Sequence, residues 1–168
     1  SIVSDIANGY KVSPNHLIYS ISLADKTFSD GSKIKAQDVK KSLERIFKKG
    51  ASISADLQSI KLINIIDEKN LEIILSKPNP ILIKQLATPD TSILKLDDNY
   101  NIEPQIFSGK YKVKTLTKQD LILKLSSHDI YTSKNPAKEI QYFFNESDKS
   151  YELAIKNKVD LVSLSILE

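Results

Sequence analysis

Two histidines, scattered serines and a few adjacent acids are the side chains in this sequence whose types suit chemistry. His16 and His128 are the only imidazoles, the usual general bases and metal ligands. Neither stands at metal-ligand spacing from a carboxylate on a shared face, and both fall in turn or loop sequence. Ser52, Ser54, Ser126 and Ser127 carry hydroxyls that become nucleophiles beside a base, yet no Gly-x-Ser-x-Gly elbow surrounds them. Asp67-Glu68 and Asp97-Asp98 are neighbouring acids, and turn formation explains them better than acid–base work. Four glycines leave no loop of the Gly-x-Gly-x-x-Gly or Gly-Lys-Ser type to cradle phosphate. The chain has no cysteine, which excludes disulfides, thiol catalysis and thiolate metal sites. The expectation is a protein that is not an enzyme and uses no cofactor or metal.

The elements that must position any site are better marked. Phe28-Ser29-Asp30-Gly31 is a tight turn in which glycine supplies the backbone freedom. Behind it, Ala36, Val39, Leu43, Ile46 and Phe47 recur at helical spacing and form one apolar stripe. Lys40, Lys41, Glu44 and Lys48 face away, with Glu44 set to pair with Lys40 and Lys48 at i±4. Asp38 sits in the first turn, where a carboxylate meets the free N–H groups and positive end of the helix.

This run resembles the signature of the family 5 extracellular solute-binding proteins, which include oligopeptide, dipeptide and nickel binders of ABC importers. Their pattern is Phe-Ser-Asp-Gly, a few residues, then Ala-x-Asp-Val-x-x-Ser-Leu-x-Arg. Phe28, Ser29, Asp30, Gly31, Ala36, Asp38, Val39, Ser42, Leu43 and Arg45 fill those positions. Lys35 stands where the family usually has a Thr or Ser cap, and losing such a cap costs about 1 kcal/mol of helix stability.

Around this unit the pattern predicts a hairpin of residues 6–12 and 17–23 across Ser13-Pro14-Asn15, with Leu17, Tyr19, Ile21 and Leu23 on a buried face. Ile60–Ile66 and Leu71–Leu75 read as strands joined at Asp67-Glu68-Lys69-Asn70, and Ile81–Leu86 as a short helix that ends before Pro89. Residues 97–109 are polar and irregular, a crossover between subdomains. Lys110–Thr115 and Leu121–Leu125 form a second hairpin. Glu139–Phe144, Asp148–Asn157 and Val159–Ser165 read as strand, helix and strand, a βαβ unit with a parallel pair.

The resemblance continues through the second half. Phe107-Ser108-Gly109-Lys110-Tyr111 stands where Gly-Thr-Gly-Pro-Tyr is common, with Gly109 and Tyr111 matching and Phe107 and Lys110 departing. Leu153 to Asp160 fits a closing Ala-Leu-x-x-Gly-x-Val-Asp pattern, with Asn157 in place of the glycine as a left-handed helix cap. In the family that Gly-Thr-Gly-Pro-Tyr-like turn lies near the cleft between two lobes. The resemblance therefore implies Ser108, Gly109 and Tyr111 as ligand-binding residues.

It also implies an α/β fold, a type II periplasmic-binding-protein-like lobe with mixed sheets and two subdomains. Residues 1–100 would form the smaller subdomain of lobe one. Residues 101–168 would form part of its main sheet subdomain, ending near the crossover to a missing second lobe. The function implied is solute binding, of a peptide in the first instance, as the substrate-binding component of an ABC importer or a piece of it. The membrane subunits of the transporter would be partners and the location periplasmic or cell-surface, with an export signal or lipobox upstream. The alternative is a ligand-sensing or protein-interaction domain on the same fold, attached for example to a transcription regulator.

At 168 residues the chain can bury roughly 70% of its unfolded surface. Its 40% hydrophobic and 27% charged residues are ordinary for a globular domain. The net charge of +3 rests almost wholly on lysine, with Arg45 the lone arginine, which speaks against nucleic-acid recognition. No apolar run is long enough to span a bilayer. Ser1 is no initiator and methionine is absent, so the expectation is a processed product or an excised piece of a longer chain.

Overall fold

A period of two in the side chains, clearest in Tyr19-Ser20-Ile21-Ser22-Leu23, builds the first sheet. In the computed structural model, which describes residues 5–50, 57–104, 106–109, 111–116, 120–125 and 139–143, β1 (Ala7–Val12) and β2 (Ile18–Leu23) pair antiparallel with Tyr10 opposite Ile21. β3 (Ile60–Ile65) and β4 (Asn70–Leu75) form a second hairpin, and β2 joins β4 to give the order β1-β2-β4-β3. Because side chains alternate across a pleated strand, Tyr19, Ile21, Leu23, Leu71, Ile73, Leu75 and Ile63 all turn to one buried face. Ser20, Glu72 and Asn64 fall on the other.

Helix α1 (Ala36–Lys48) lies in that same core. Ala36, Val39, Leu43 and Ile46 are buried as the spacing requires. Ser42 is buried with them, whereas Phe47 is 38% exposed. The apolar stripe is therefore corrected by one position: at 100° per residue Ser42 lies about 40° beyond Ile46 at one edge of the buried face, and Phe47 about 20° beyond Ala36 at the other. Glu44 is 3.9 Å from Lys40, but the expected pairing with Lys48 is replaced, since Lys48 Nζ sits 3.7 Å from the centre of the Tyr100 ring.

The helix begins without a side-chain oxygen at Lys35, and its first amides find other acceptors. Lys35 N–H donates to Asp38 Oδ2 at 2.8 Å, half of a capping box. Ala36 N–H donates to the Glu68 carbonyl at 2.8 Å, and Lys35 Nζ reaches Glu68 Oε1 at 2.6 Å. The β3–β4 turn thus supplies part of what the missing Thr or Ser would have given.

Two further short elements close this unit, helix α2 (Leu82–Gln85) and a 3₁₀ turn at Pro89–Thr91. The hairpin from Leu96 to Ile102 is turned by Asp97, whose Oδ1 accepts from Asn99 N–H and Asn101 N–H at 2.8 Å each.

The chain divides into two compact units, Ser1–Gly109 and Lys110–Glu168. In the second, β5 (Tyr111–Leu116), β6 (Asp120–Leu125) and β7 (Glu139–Phe143) form an antiparallel sheet in that order. The pairings among the described strands of both sheets are antiparallel. The helix at 148–157 and the strand at 159–165, and with them the parallel pair, lie outside the described residues.

Candidate functional site

One concave feature of the first unit is a half-open cavity of about 530 Å³ on the core side of the sheet. Tyr10, Ala7, Ile21 and Leu23 of the first hairpin form one wall, and Val39 and Leu43 of α1 form the floor. The opposite wall is the chain from Ile83 to Ile93, completed by Ser108 and Gly109. This is the size and lining of a small-molecule site, mainly apolar with a few hydroxyls. The hydroxyl-bearing residues of the lining are Tyr10, Thr88, Thr91, Ser92 and Ser108, and the last four each donate to a backbone carbonyl of the chain. Asp5, the ionisable carboxylate at the rim, is engaged by Lys26 Nζ at 3.1 Å.

Two of the three residues expected to touch ligand stand at this wall. Ser108 Oγ donates to the Ile93 carbonyl at 2.6 Å, which fixes the Ser108 segment against the irregular chain that follows the 3₁₀ turn. A Cβ built on Gly109 meets nothing within 4 Å. Neither crowding nor a left-handed backbone therefore demands glycine there, and what its missing side chain leaves is open space. Tyr111 begins β5, opposite Leu125, in the second unit. Phe107 is half-buried and is not part of the cavity lining among the described residues.

The signature holds these segments in place through its two serines. Ser29 N–H donates to the Phe107 carbonyl at 2.8 Å, and Phe107 N–H donates to Ser29 Oγ at 3.0 Å. Ser42 Oγ accepts from Leu94 N–H at 2.9 Å, and the same hydroxyl lies 2.7 Å from the Asp38 carbonyl and 3.2 Å from that of Leu94. Around Ser29 the turn is rigid. Phe28 is fully buried, Gly31 has φ +86°, and Asp30 Oδ1 accepts from Ser32 N–H at 2.9 Å and Ser32 Oγ–H at 2.7 Å. Those bonds from Ser32 hold the Asp30 carboxyl below the usual carboxylate range. Lys95 Nζ lies 5.1 Å above the Phe28 ring, a cation–π distance. Arg45, the last matched position, has its Nε buried without a hydrogen-bond partner among the described residues.

Other chemistry-bearing residues sit apart. His16 is exposed at the β1–β2 turn with φ 56°, its N–H donating to the Ser13 carbonyl, so it serves the turn as expected. Asp67 and Asp97 are turn residues too. Bonds from Asn70 and Asn101 respectively lead the causes that lower their carboxyls. No cluster of three metal-ligating side chains occurs among the described residues, and no described helix is long and apolar enough to cross a membrane. His128, Ser52, Ser54, Ser126 and Ser127 lie outside the described residues. Missed by sequence reasoning were Tyr10 and the chain from Ile83 to Ile93, because strand alternation and a short amphipathic helix carry no mark of what they enclose. Ser29 and Ser42 were legible as motif positions, and their clamping role was not.

Comparisons with known proteins agree with this geometry. Residues 1–167 match the bacterial extracellular solute-binding proteins, family 5 Middle. A Brucella ovis protein named as an ABC transporter peptide-binding protein is 34% identical over 89 residues, 52% of this chain and 17% of that protein. Among solved structures, AgaA of A. tumefaciens R10 in complex with agropinic acid superposes with a TM-score of 0.84 at 30% identity, covering 92% of this chain and 33% of that one. NikZ of Campylobacter jejuni in complex with Ni(L-His) gives 0.81 at 26% identity, over 93% and 34%. Listeria monocytogenes OppA bound to peptide shares the fold, with a TM-score of 0.80 at 21% identity, over 95% of this chain and 37% of that one. The chain thus spans a sixth of the length of the curated relative (17%) and a third of the solved chains. With a match along nearly its whole length and a type II periplasmic-binding-protein topology, the chain belongs to family 5 of the bacterial extracellular solute-binding proteins.

Proposed function

We propose that this chain is part of the first lobe of the solute-binding component of an ABC importer, with a peptide or similar small solute as its ligand. The observation that carries the reading is the cavity of about 530 Å³, apolar and edged with hydroxyls, whose wall includes Ser108 and Gly109. A mainly apolar, half-open cavity with few polar groups suits a ligand held through its backbone and its side-chain volume rather than through paired charge. Ser108 and Gly109 are the contacts proposed within the first unit. Tyr111 is proposed as a contact on its motif position alone. The unit up to Gly109 takes the role of the smaller subdomain, and the β5–β6–β7 unit belongs to the main sheet subdomain.

The membrane subunits of an importer follow as partners and a location outside the cytoplasmic membrane as the setting, in keeping with a family of extracellular binding proteins. The test is a thermal-shift screen of the complete protein against a tripeptide pool, agropinic acid and nickel–L-histidine. A ligand at one hundred times its Kd stabilises the protein by about 2.7 kcal/mol, enough to move the midpoint by several degrees. Stabilisation by the pool supports a peptide ligand, and a response confined to one of the other two probes redirects the ligand class. Failure of all three overturns the reading.

A further inference from the structure

We infer that Ser29 is a positioning residue for the solute site, gripping Phe107 and thereby setting where Ser108 and Gly109 stand at the cavity wall. The inference rests on the reading of Ser108 and Gly109 as ligand contacts.

Four hydrogen bonds carry it. Ser29 holds the Phe107 peptide from both sides, its N–H on the carbonyl at 2.8 Å and its Oγ under the N–H at 3.0 Å. The next residue, Ser108, donates to the Ile93 carbonyl at 2.6 Å, and the residue after Ile93 is held at its N–H by Ser42 Oγ at 2.9 Å. The signature turn and the signature helix therefore grip two neighbouring backbone segments, and Ser108 ties those segments to each other. Gly109 follows directly, with open space where a side chain would be. On that side no described atom within 4 Å of the built Cβ holds the chain back. The tethers described nearest to it are those at Phe107 and Ser108. The anchor itself is stiff: Phe28 is fully buried, Phe28 N–H donates to the Ser32 carbonyl at 2.8 Å, and Thr27 bridges Lys33 across the turn. A rigid support holding a binding backbone is what a preorganised site requires.

Ser29→Ala removes the oxygen that accepts from Phe107 N–H and keeps the backbone half of the grip, whereas Ser29→Thr keeps both. Hydrogen exchange on the unliganded protein is expected to speed up at the Phe107 amide by about tenfold in Ser29→Ala, the worth of one hydrogen bond of ~1.4 kcal/mol. The amides from Val39 to Ile46 should keep their rates, and Ser29→Thr should restore the slow exchange. Titration with the tripeptide pool should show a loss of affinity of about tenfold in Ser29→Ala, again restored by threonine. Unchanged exchange at Phe107, or acceleration spread equally through α1, overturns the inference. So does full affinity in Ser29→Ala. A pool that fails to bind the unsubstituted protein refutes the solute site and with it the ligand role of Ser29, while exchange at Phe107 still reports the tether separately.

Discussion

Ser42→Ala is the substitution that most directly weighs the hydrogen-bonded frame against the apolar core. The Ser42 hydroxyl is buried, 3% exposed as a residue; it accepts from Leu94 N–H at 2.9 Å, and its single hydrogen faces the Asp38 carbonyl at 2.7 Å and the Leu94 carbonyl at 3.2 Å. Removing the oxygen leaves Leu94 N–H without that acceptor, and a buried donor left unpaired costs about 1–3 kcal/mol. The Leu94 carbonyl, at a longer 3.2 Å, adds less. Against this stands the helix propensity of alanine over serine, a gain of about 0.5 kcal/mol, and the release of a hydroxyl from the Asp38 carbonyl, a back-bond that slightly strains a helix. The desolvation loss is the larger, so the net expectation is a destabilisation of about 0.5–2.5 kcal/mol. For a chain of this length that lowers the thermal midpoint by roughly 2–4 °C per kcal/mol. Thermal and urea unfolding measure it, with Ser20→Ala on the solvent face of the sheet as the control, expected within about 0.5 kcal/mol of the parent. If Ser42→Ala matches that control, Leu94 is not held by Ser42 and the account of the signature as a frame for the 93–109 segment fails.

Three further outcomes follow from the same structure. Leu43→Ala, at 2% exposure between α1 and the sheet, should cost about 2–5 kcal/mol, while Leu62→Ala at 51% exposure should cost about 0.5 kcal/mol or less; equal losses in urea unfolding would place the core elsewhere. Gly31→Ala should destabilise by about 1–2 kcal/mol through its φ of +86° alone, because space for the methyl is open, and Gly31→Asn should lose less; a neutral alanine variant would mean the turn adopts another backbone. Asp30, Asp67 and Asp97 accept turn hydrogen bonds that lower their carboxyls in the folded chain. Their stabilisation is therefore complete above the unfolded carboxyl value of about 3.9 and drains away as pH falls through the lower folded values. Carboxyl-carbon NMR titration checks this, and midpoints at or above the ordinary aspartate value would contradict it.

What the sequence alone determined is local. Alternation in 17–23 and 71–75, the Asp-Gly turn and the 3.6-residue stripe of α1 are each written within a dozen residues, so strand, turn and helix were legible with ends shifted by one or two positions. The ten signature positions were legible as a family mark. Their reason was not, because Ser29 meets Phe107 across 78 positions and Ser42 meets Leu94 across 52. Nothing in either local pattern says which distant peptide a hydroxyl will serve. For the same reason Lys48 was assigned to Glu44 by helical spacing, while the folded chain brings Tyr100 beneath it. The cavity, too, belongs to tertiary structure alone. It exists because the inward face of β1, the floor of α1 and the chain from Ile83 to Ile93 converge, and enclosed volume is a property of surfaces that meet only once the chain has folded.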